Sequence, residues 1–323
     1  MRSRIGAGAG ALTLVALLVF PVVFTLPYPR DVMIRIFLYA MLATAWNVLA
    51  GYCGQISLGH AVFFGTGAYT STFLAKQDWL GGWENPWLGM LLGALLAALL
   101  SQVIGYPVFR LRGHYFAIAT IAVGEIVQTI AINWESVGGA RGLFVPIRRP
   151  GSLATFQFHE SKQAYYYIAL ALLLLALGLN RWIVRSRTGY YFRAIREDQD
   201  AAAALGIPVA RYKQRAMAVS AALTALGGTF YAQYVLFIDP ESVLPLSLSI
   251  LICLVAVLGG VGTLWGPLLG AAILVPLGEL TRVQFGGTGK AFDLVIYGLL
   301  IMIVSVVQPG GIMALLQRGF RRS

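Results

Sequence analysis

Charge is scarce in this sequence. Asp, Glu, Lys and Arg make up 11% of the 323 residues, where an ordinary soluble domain carries about 25%. Apolar residues supply 58%, and mean hydropathy is +0.75. A soluble core of this length cannot hide so much apolar surface, which excludes a soluble enzyme, a disordered chain and a secreted scaffold. Cysteine is nearly absent: Cys53 and Cys253 both lie in apolar runs and are too few for a disulfide framework. No Cys/His cluster supports a metal site, and the pair His159 and Glu160 lacks the second histidine that a zinc helix needs. The run from Gly286 to Lys290 resembles a nucleotide loop. However, Ala291 stands where Ser or Thr is required, and no glycine lies five residues before Gly289. No metal or nucleotide is therefore expected on this chain. Acids are also outnumbered, 13 against 24 basic residues, for a net charge of +11. The basic residues sit in short gaps between apolar runs. That arrangement sets membrane orientation, whereas a nucleic-acid surface would cluster them on a wettable face.

What the sequence does have is long apolar runs. A spanning helix needs about 20 apolar residues, each rising ~1.5 Å through a ~30 Å hydrocarbon core. Runs near 9–27, 33–50, 56–75, 87–109, 115–133, 165–183, 214–236, 245–264, 266–281 and 291–308 meet that need. The expectation is an all-α polytopic membrane protein of about ten spans, some glycine-broken or re-entrant, forming one transmembrane domain over 1–323. The first run follows Arg2 and Arg4 but ends at Thr25, Leu26 and Pro27 without a small-x-small cleavage site, so it reads as a retained helix. With both termini cytoplasmic, 15 of the 24 basic residues fall inside, eight of them between Arg181 and Arg215. Residues 78–87 and 239–241 then lie outside. The main external loop is 134–164 and the main cytoplasmic loop 184–213. The external one reads equally as a docking surface or a solvated connection.

The cytoplasmic loop carries a delimited helix. Glu197, Asp198 and Asp200 precede four alanines, Ala201 to Ala204. Acids favour a helix start and alanine is the best helix former. Gly206 then supplies a left-handed cap, and Pro208 stops continuation. A helix of about two turns outside the membrane is expected. The bland alternative is an amphipathic helix lying at the interface.

Asp200, Ala201, Ala202 and Gly206 resemble the Glu-Ala-Ala-x-x-x-Gly core of the cytoplasmic coupling loop of ABC importer permeases. Asp replaces Glu here, and the Ile-x-Leu-Pro that often follows is missing. The stretch from Ala45 to Thr70, with Trp46, Asn47, Gly51, Gly54, Gln55, Ser57, Gly59 and His60, resembles the signature of branched-chain amino acid permeases of the LivM type. So do the stretch from Leu111 to Ile126 and the run Arg193 to Asp198. The resemblance extends over about 30–308. It implies a permease subunit of an ATP-driven importer in the bacterial cytoplasmic (inner) membrane. A second related permease, two ATP-binding subunits that carry ATP and Mg, and an external substrate-binding protein would be its partners. Arg193, Glu197, Asp198, Asp200, Ala201, Ala202 and Gly206 would form the ATPase-coupling loop. Branched-chain or other hydrophobic amino acids would be the cargo. Urea, amides or another small polar solute remain open within the same family, and an ion-coupled secondary transporter using Glu125 remains open outside it.

Glycine lets helices approach closely or break, and broken helices at mid-membrane frame transport sites. Gly51, Gly54, Gly59, Gly65 and Gly67 crowd one segment, with the polar Gln55, Ser57 and His60 among them. This segment is expected to be discontinuous and to line the translocation path, together with Asn47. A packed helix with satisfied side chains is the alternative. Glu125 lies mid-span, where a carboxylate costs roughly 2.5–3.5 kcal/mol on insertion scales. Gln128, Thr129 and Asn133 continue its side of the helix, a stripe that should face protein or a watery path. Glu279 and Asp293, near Arg282 and Lys290, read as an external salt-bridge cluster. Gly262, Gly266 and Gly270, and separately Ala218, Ala222, Ala225, Gly228 and Ala232, read as packing seams, with Pro267 dividing the first between two helices.

Overall fold

Proline and asparagine fix where the early spans begin. The computed structural model describes residues 15–24, 26–76, 85–147, 151–158, 161–285, 298–299, 302 and 310–314. Residues 15–23 form α1. Helix α2 (Pro27–Asn47) opens on Pro27, whose fixed φ suits a first helical position. After α3 (His60–Lys76), α4 (Pro86–Val108) starts the same way, and Asn85 Oδ1 caps it by accepting from the Trp87 N–H at 3.0 Å. Gly113, at φ +57°, turns the chain into α5 (His114–Asn133). Then follow α6 (Gln163–Arg185), α7 (Arg187–Glu197), α8 (Gln199–Ala204), α9 (Val209–Val235), α10 (Pro240–Val243), α11 (Leu246–Gly259) and α12 (Gly266–Phe285). Among the described residues, five stretches are long and apolar enough to cross a membrane: 27–52, 86–108, 114–133, 163–185 and 240–259. Gly266–Thr281 is a shorter apolar helix. The chain is a helical multi-pass membrane protein.

Small residues bring the central helices together. A Cβ on Gly67 would lie 2.0 Å from the Ala225 carbonyl oxygen, and one on Gly228 only 1.9 Å from that of Phe64. Helices α3 and α9 therefore touch backbone to backbone, as the alanine and glycine spacing of α9 predicts. The second seam differs from expectation. Gly270 does press on the Val255 carbonyl, but Gly262 lies in a turn and Pro267 is the second residue of α12 instead of a divider. Proline is tolerated there because the first helical N–H groups have no intrahelical partner.

Three further boundaries depart from the hydropathy reading. The run 33–50 starts earlier, at Pro27, and ends in a π-turn over Val48–Tyr52. The run 56–75 is helical only from His60. The run 245–264 stops at Gly259, because Gly260 (φ +121°) and Gly262 (φ +77°) form a turn. The tenth run at 291–308 lies almost wholly outside the described residues. So do residues 78–84, the 286–290 loop, Asp293, and His159 with Glu160.

Among the described residues, the ion pairs fall at the two ends. At one end, Lys162 pairs with Asp31 at 2.7 Å, and Arg35 pairs with Glu279 at 2.5 Å and with Asp31 at 3.3 Å. Glu279 thus takes part in an ion-pair cluster, with Arg35 of α2 as its partner. Near this end β1 (Leu143–Phe144) pairs antiparallel with β2 (Phe237–Ile238), tying the 134–164 loop to the end of α9. The opposite end carries α7 and α8.

Candidate functional site

The candidate path residues divide into two groups. The first surrounds a break between α2 and α3. The π-turn ends in Cys53, and residues 53–59 are not helical, with Gly54 at φ +74°. Backbone freed by such a break must find partners inside the membrane, and here neighbouring helices supply them. Trp46 Nε1 donates to the Ser57 carbonyl at 2.7 Å, the Leu58 N–H donates to Thr120 Oγ1 at 3.0 Å, and the Ala61 N–H donates to Ser249 Oγ at 2.8 Å. Asn47 is fully buried. Its Oδ1 accepts from the Gly262 N–H at 2.8 Å and its Nδ2 donates to the Thr263 carbonyl at 2.9 Å, so it fastens α2 to the 260–263 turn.

Gln55 folds back on the Cys53 carbonyl at 3.2 Å, and Ser57 Oγ accepts from the Gly59 N–H at 3.3 Å. His60 Nε2 lies 2.8 Å from Ser220 Oγ, whose own hydrogen goes to the Ala45 carbonyl at 2.7 Å. That arrangement assigns the hydrogen to Nε2 and leaves Nδ1 without a hydrogen bond. The space beside Ser57 is about 10 Å³, too small for an amino acid. The break is thus a braced, closed element in this conformer.

The second group lies on α5. Only 17% of the central residues of this helix are buried, against 78% in the 27–52 stretch. Glu125, Thr129 and Asn133 are exposed and Gln128 is half-buried, in company with exposed Ile118, Ile126 and Ile130. Among the described residues Glu125 forms no ion pair. The stripe climbs to a cleft of about 630 Å³ at the Asn133 end, lined by Lys76, Asn133, Glu135, Arg141 and the glycine turn 138–142. The two groups come together around Thr120, which bonds Leu58 and lies about one and a half turns before Glu125.

At the other end, α8 is capped on both sides. Asp198 Oδ1 accepts from the N–H groups of Asp200 at 2.8 Å and Ala201 at 3.0 Å. Those backbone donors, Ala201 first, hold its carboxyl below the usual value. Gly206, at φ +82°, closes the helix, with its N–H on the Ala203 carbonyl and that of Ile207 on Ala202, the paired bonds of a Schellman motif. Ala202 is buried, whereas Ala201, Ala203, Ala204 and Leu205 face outward. Asp200 pairs with Arg112 at 2.9 Å. Arg193 braces the α6–α7 corner, reaching the Gly189 and Val184 carbonyls at 3.2 Å each. Glu197 holds Arg196 at 2.6 Å.

The chain thus holds a broken helix, an open polar stripe and a short helix capped at both ends, and its sequence matches known transport proteins. The family profile for the permease component of branched-chain amino acid transport systems covers residues 28–304. This chain belongs to that family. The high-affinity branched-chain amino acid transport system permease protein LivM of Escherichia coli is 31% identical, over 94% of this chain and 74% of its own length. LivH of Salmonella typhimurium and BraD of Pseudomonas aeruginosa, of the same description, are each 27% identical over 85% of this chain and 91% of theirs. No solved structure matches.

Several residues that organise this permease are not singled out by motif reading. Ser220 and Ser249 are hydroxyls inside apolar runs, a signal that polarity alone provides. Thr120 lies in the second family-like stretch. Arg196 lies in the family-like run Arg193 to Asp198, where the sequence does not set it apart from Arg193.

Proposed function

We propose that this chain is the membrane-spanning subunit of an ATP-driven importer of branched-chain amino acids in a bacterial cytoplasmic membrane. In this reading it has ten spans and both termini inside. The observation that carries the reading is α8: a six-residue helix, capped at both ends, that turns Ala201, Ala203, Ala204 and Leu205 to solvent at the end opposite the Asp31 cluster. So firmly bounded an element suits a cleft on an ATP-binding subunit better than it suits a connector. Two such subunits, carrying ATP and Mg, would dock at the cytoplasmic loops of this chain and of a second, related permease. The open face of α5 supports that pairing, since Glu125 facing hydrocarbon would cost roughly 2.5–3.5 kcal/mol. Cargo from an external binding protein would enter by the cleft beside Lys76 and Glu135. ATP-driven closure would then shift α8 and switch access between the two sides.

Labelled-leucine uptake into proteoliposomes holding the whole assembly tests this, with ATP inside and binding protein outside. Uptake should need both. ATP hydrolysis stimulated by binding protein without leucine uptake would redirect the cargo to urea or amides. Uptake indifferent to ATP would overturn the importer and bring Glu125 forward as an ion-coupling group. Two variants probe α8. Asp200→Lys removes the Arg112 pair and puts positive charge at the helix start. Gly206→Val forces a β-branched residue to φ +82°. Each should leave ATP hydrolysis running while uptake falls, and normal coupled uptake in both would refute the role of α8.

A further inference from the structure

Where the π-turn ends, the Gly51 carbonyl needs a donor. The next helical partners are taken elsewhere, since the Gly54 N–H bonds Ala50 and the Gln55 N–H bonds Leu49, both at 3.1 Å. Arg196 supplies the donor: its Nη1 reaches the Gly51 oxygen at 3.0 Å across 145 positions of sequence. A guanidinium at a helix C-terminus also meets the negative end of the helix dipole. Glu197 Oε1 fixes the head from the other side, accepting from Nε at 3.1 Å and from Nη2 at 2.6 Å.

The fit is tight on every side. A Cβ on Gly54 would come within 2.9 Å of Arg196 Cγ and 3.1 Å of its Cα, and one on Gly262 within 2.9 Å of Nη1. Gly262 in turn hangs on Asn47 Oδ1 at 2.8 Å. One side chain of α7 therefore touches the end of the π-turn, the start of the non-helical segment and the 260–263 turn. Beneath it, Phe192, Ile195 and Ala202 are buried in one apolar cluster with Val48, Leu49 and Cys53. Only Glu197 separates Arg196 from Asp198, the cap of α8.

We infer that Arg196 is the positioning residue that carries displacement of α8 to the helix break, by capping Gly51 from the α7–α8 pair. The inference rests on the importer reading and specifies how that reading transmits motion. It gives Glu197 a role as well, which is to hold the guanidinium in register. The nearby Arg193 instead hydrogen-bonds the Gly189 and Val184 carbonyls of its own corner and stacks on Tyr190.

The test uses the full assembly in proteoliposomes, measuring ATP hydrolysis and leucine uptake side by side in the wild type, Arg196→Ala, Arg196→Lys and Glu197→Gln. Wild-type uptake that needs ATP and binding protein must hold first, and its failure would sink the importer reading itself. Given that, Arg196→Ala should lower uptake per ATP about tenfold, the scale of a lost coupling between sites. Lysine, a compact point charge with rotatable donors in place of a planar fork, should restore part of the ratio. Glu197→Gln keeps the guanidinium and should give an intermediate value, which serves even if the alanine variant assembles poorly. An unchanged ratio of uptake to hydrolysis in Arg196→Ala and Glu197→Gln would overturn the inference, whether or not both activities fall together.

Discussion

The helix break at 47–60 and the α7–α8 pair of this permease are held in opposite ways. Beside its local bonds, the break is held by bonds from far along the chain: Asn47 to Gly262 and Thr263, Leu58 to Thr120, His60 to Ser220, Ala61 to Ser249. Bonds in the α7–α8 pair are mostly its own, from Asp198 to Asp200 and Ala201 and from Gly206 to Ala203. A few polar links join the pair to the rest, among them Arg196 to Gly51, Asp200 to Arg112 and Gln199 to Lys213. The break can therefore keep its shape only while the bundle keeps its own. The pair can move as a unit and still be a pair. In the importer proposed above, the pair would be the part that receives force and the break the part that changes shape.

The largest effect should come from prying apart the bundle that holds the break. Gly228→Val would drive a Cβ to within 1.9 Å of the Phe64 carbonyl. The obstacle is backbone, so the penalty should reach or exceed the ~1–3 kcal/mol usual for overpacking. Size-exclusion profiles in detergent should show loss of the monodisperse species. A well-folded Gly228→Val protein would mean that α3 and α9 are not in backbone contact. Asn47→Ala comes next. It leaves the half-buried Gly262 N–H and Thr263 carbonyl without their partner, at up to about 1–3 kcal/mol each. The melting temperature should drop by several degrees, while exchange at the Asp198 cap stays as it was.

Legibility in the sequence follows the same division. The caps of α8 could be read because each acts within a few residues, and Asp198, the alanines and Gly206 stand in the order that helix physics demands. Helix α7 was less readable. Its buried residues, Gly189, Phe192 and Ile195, lie at helical spacing, but arginines and aromatics crowd the remainder. Glycine and polar residues between Gly51 and Gly67 point to a discontinuous segment, yet not to a π-turn or to seven residues outside the helix. Those depend on Thr120, Ser249 and Gly262, which fold back from distant positions. Glu125 was legible as an anomaly. Its exposure on an open helix face was not, because periodicity cannot say which face of a helix finds a neighbour.

The smallest effect sharpens the comparison by pH. The Asp198 carboxyl is held below its ordinary value of 3.8 by the N–H groups of Ala201 and Asp200. A group with a depressed folded pKa gives its full contribution above the unfolded value and loses it as pH falls through the folded one. The α8 cap should thus be intact at neutral pH and weaken only in acid, below pH 3.8. Hydrogen exchange at the Ala201 and Asp200 amides, corrected for intrinsic rate, would report that weakening. Asp198→Asn keeps an accepting oxygen and should remove the pH dependence, since Asn caps about as well as Asp. Asp198→Ala should exchange fast at every pH. At the break, the Gly262 amide is held by the neutral Asn47 side chain, so its protection should not follow pH. Equal acid sensitivity at Gly262 and Ala201 would mean that the two regions open together, and the α7–α8 pair could then not act as an independent receiver of force.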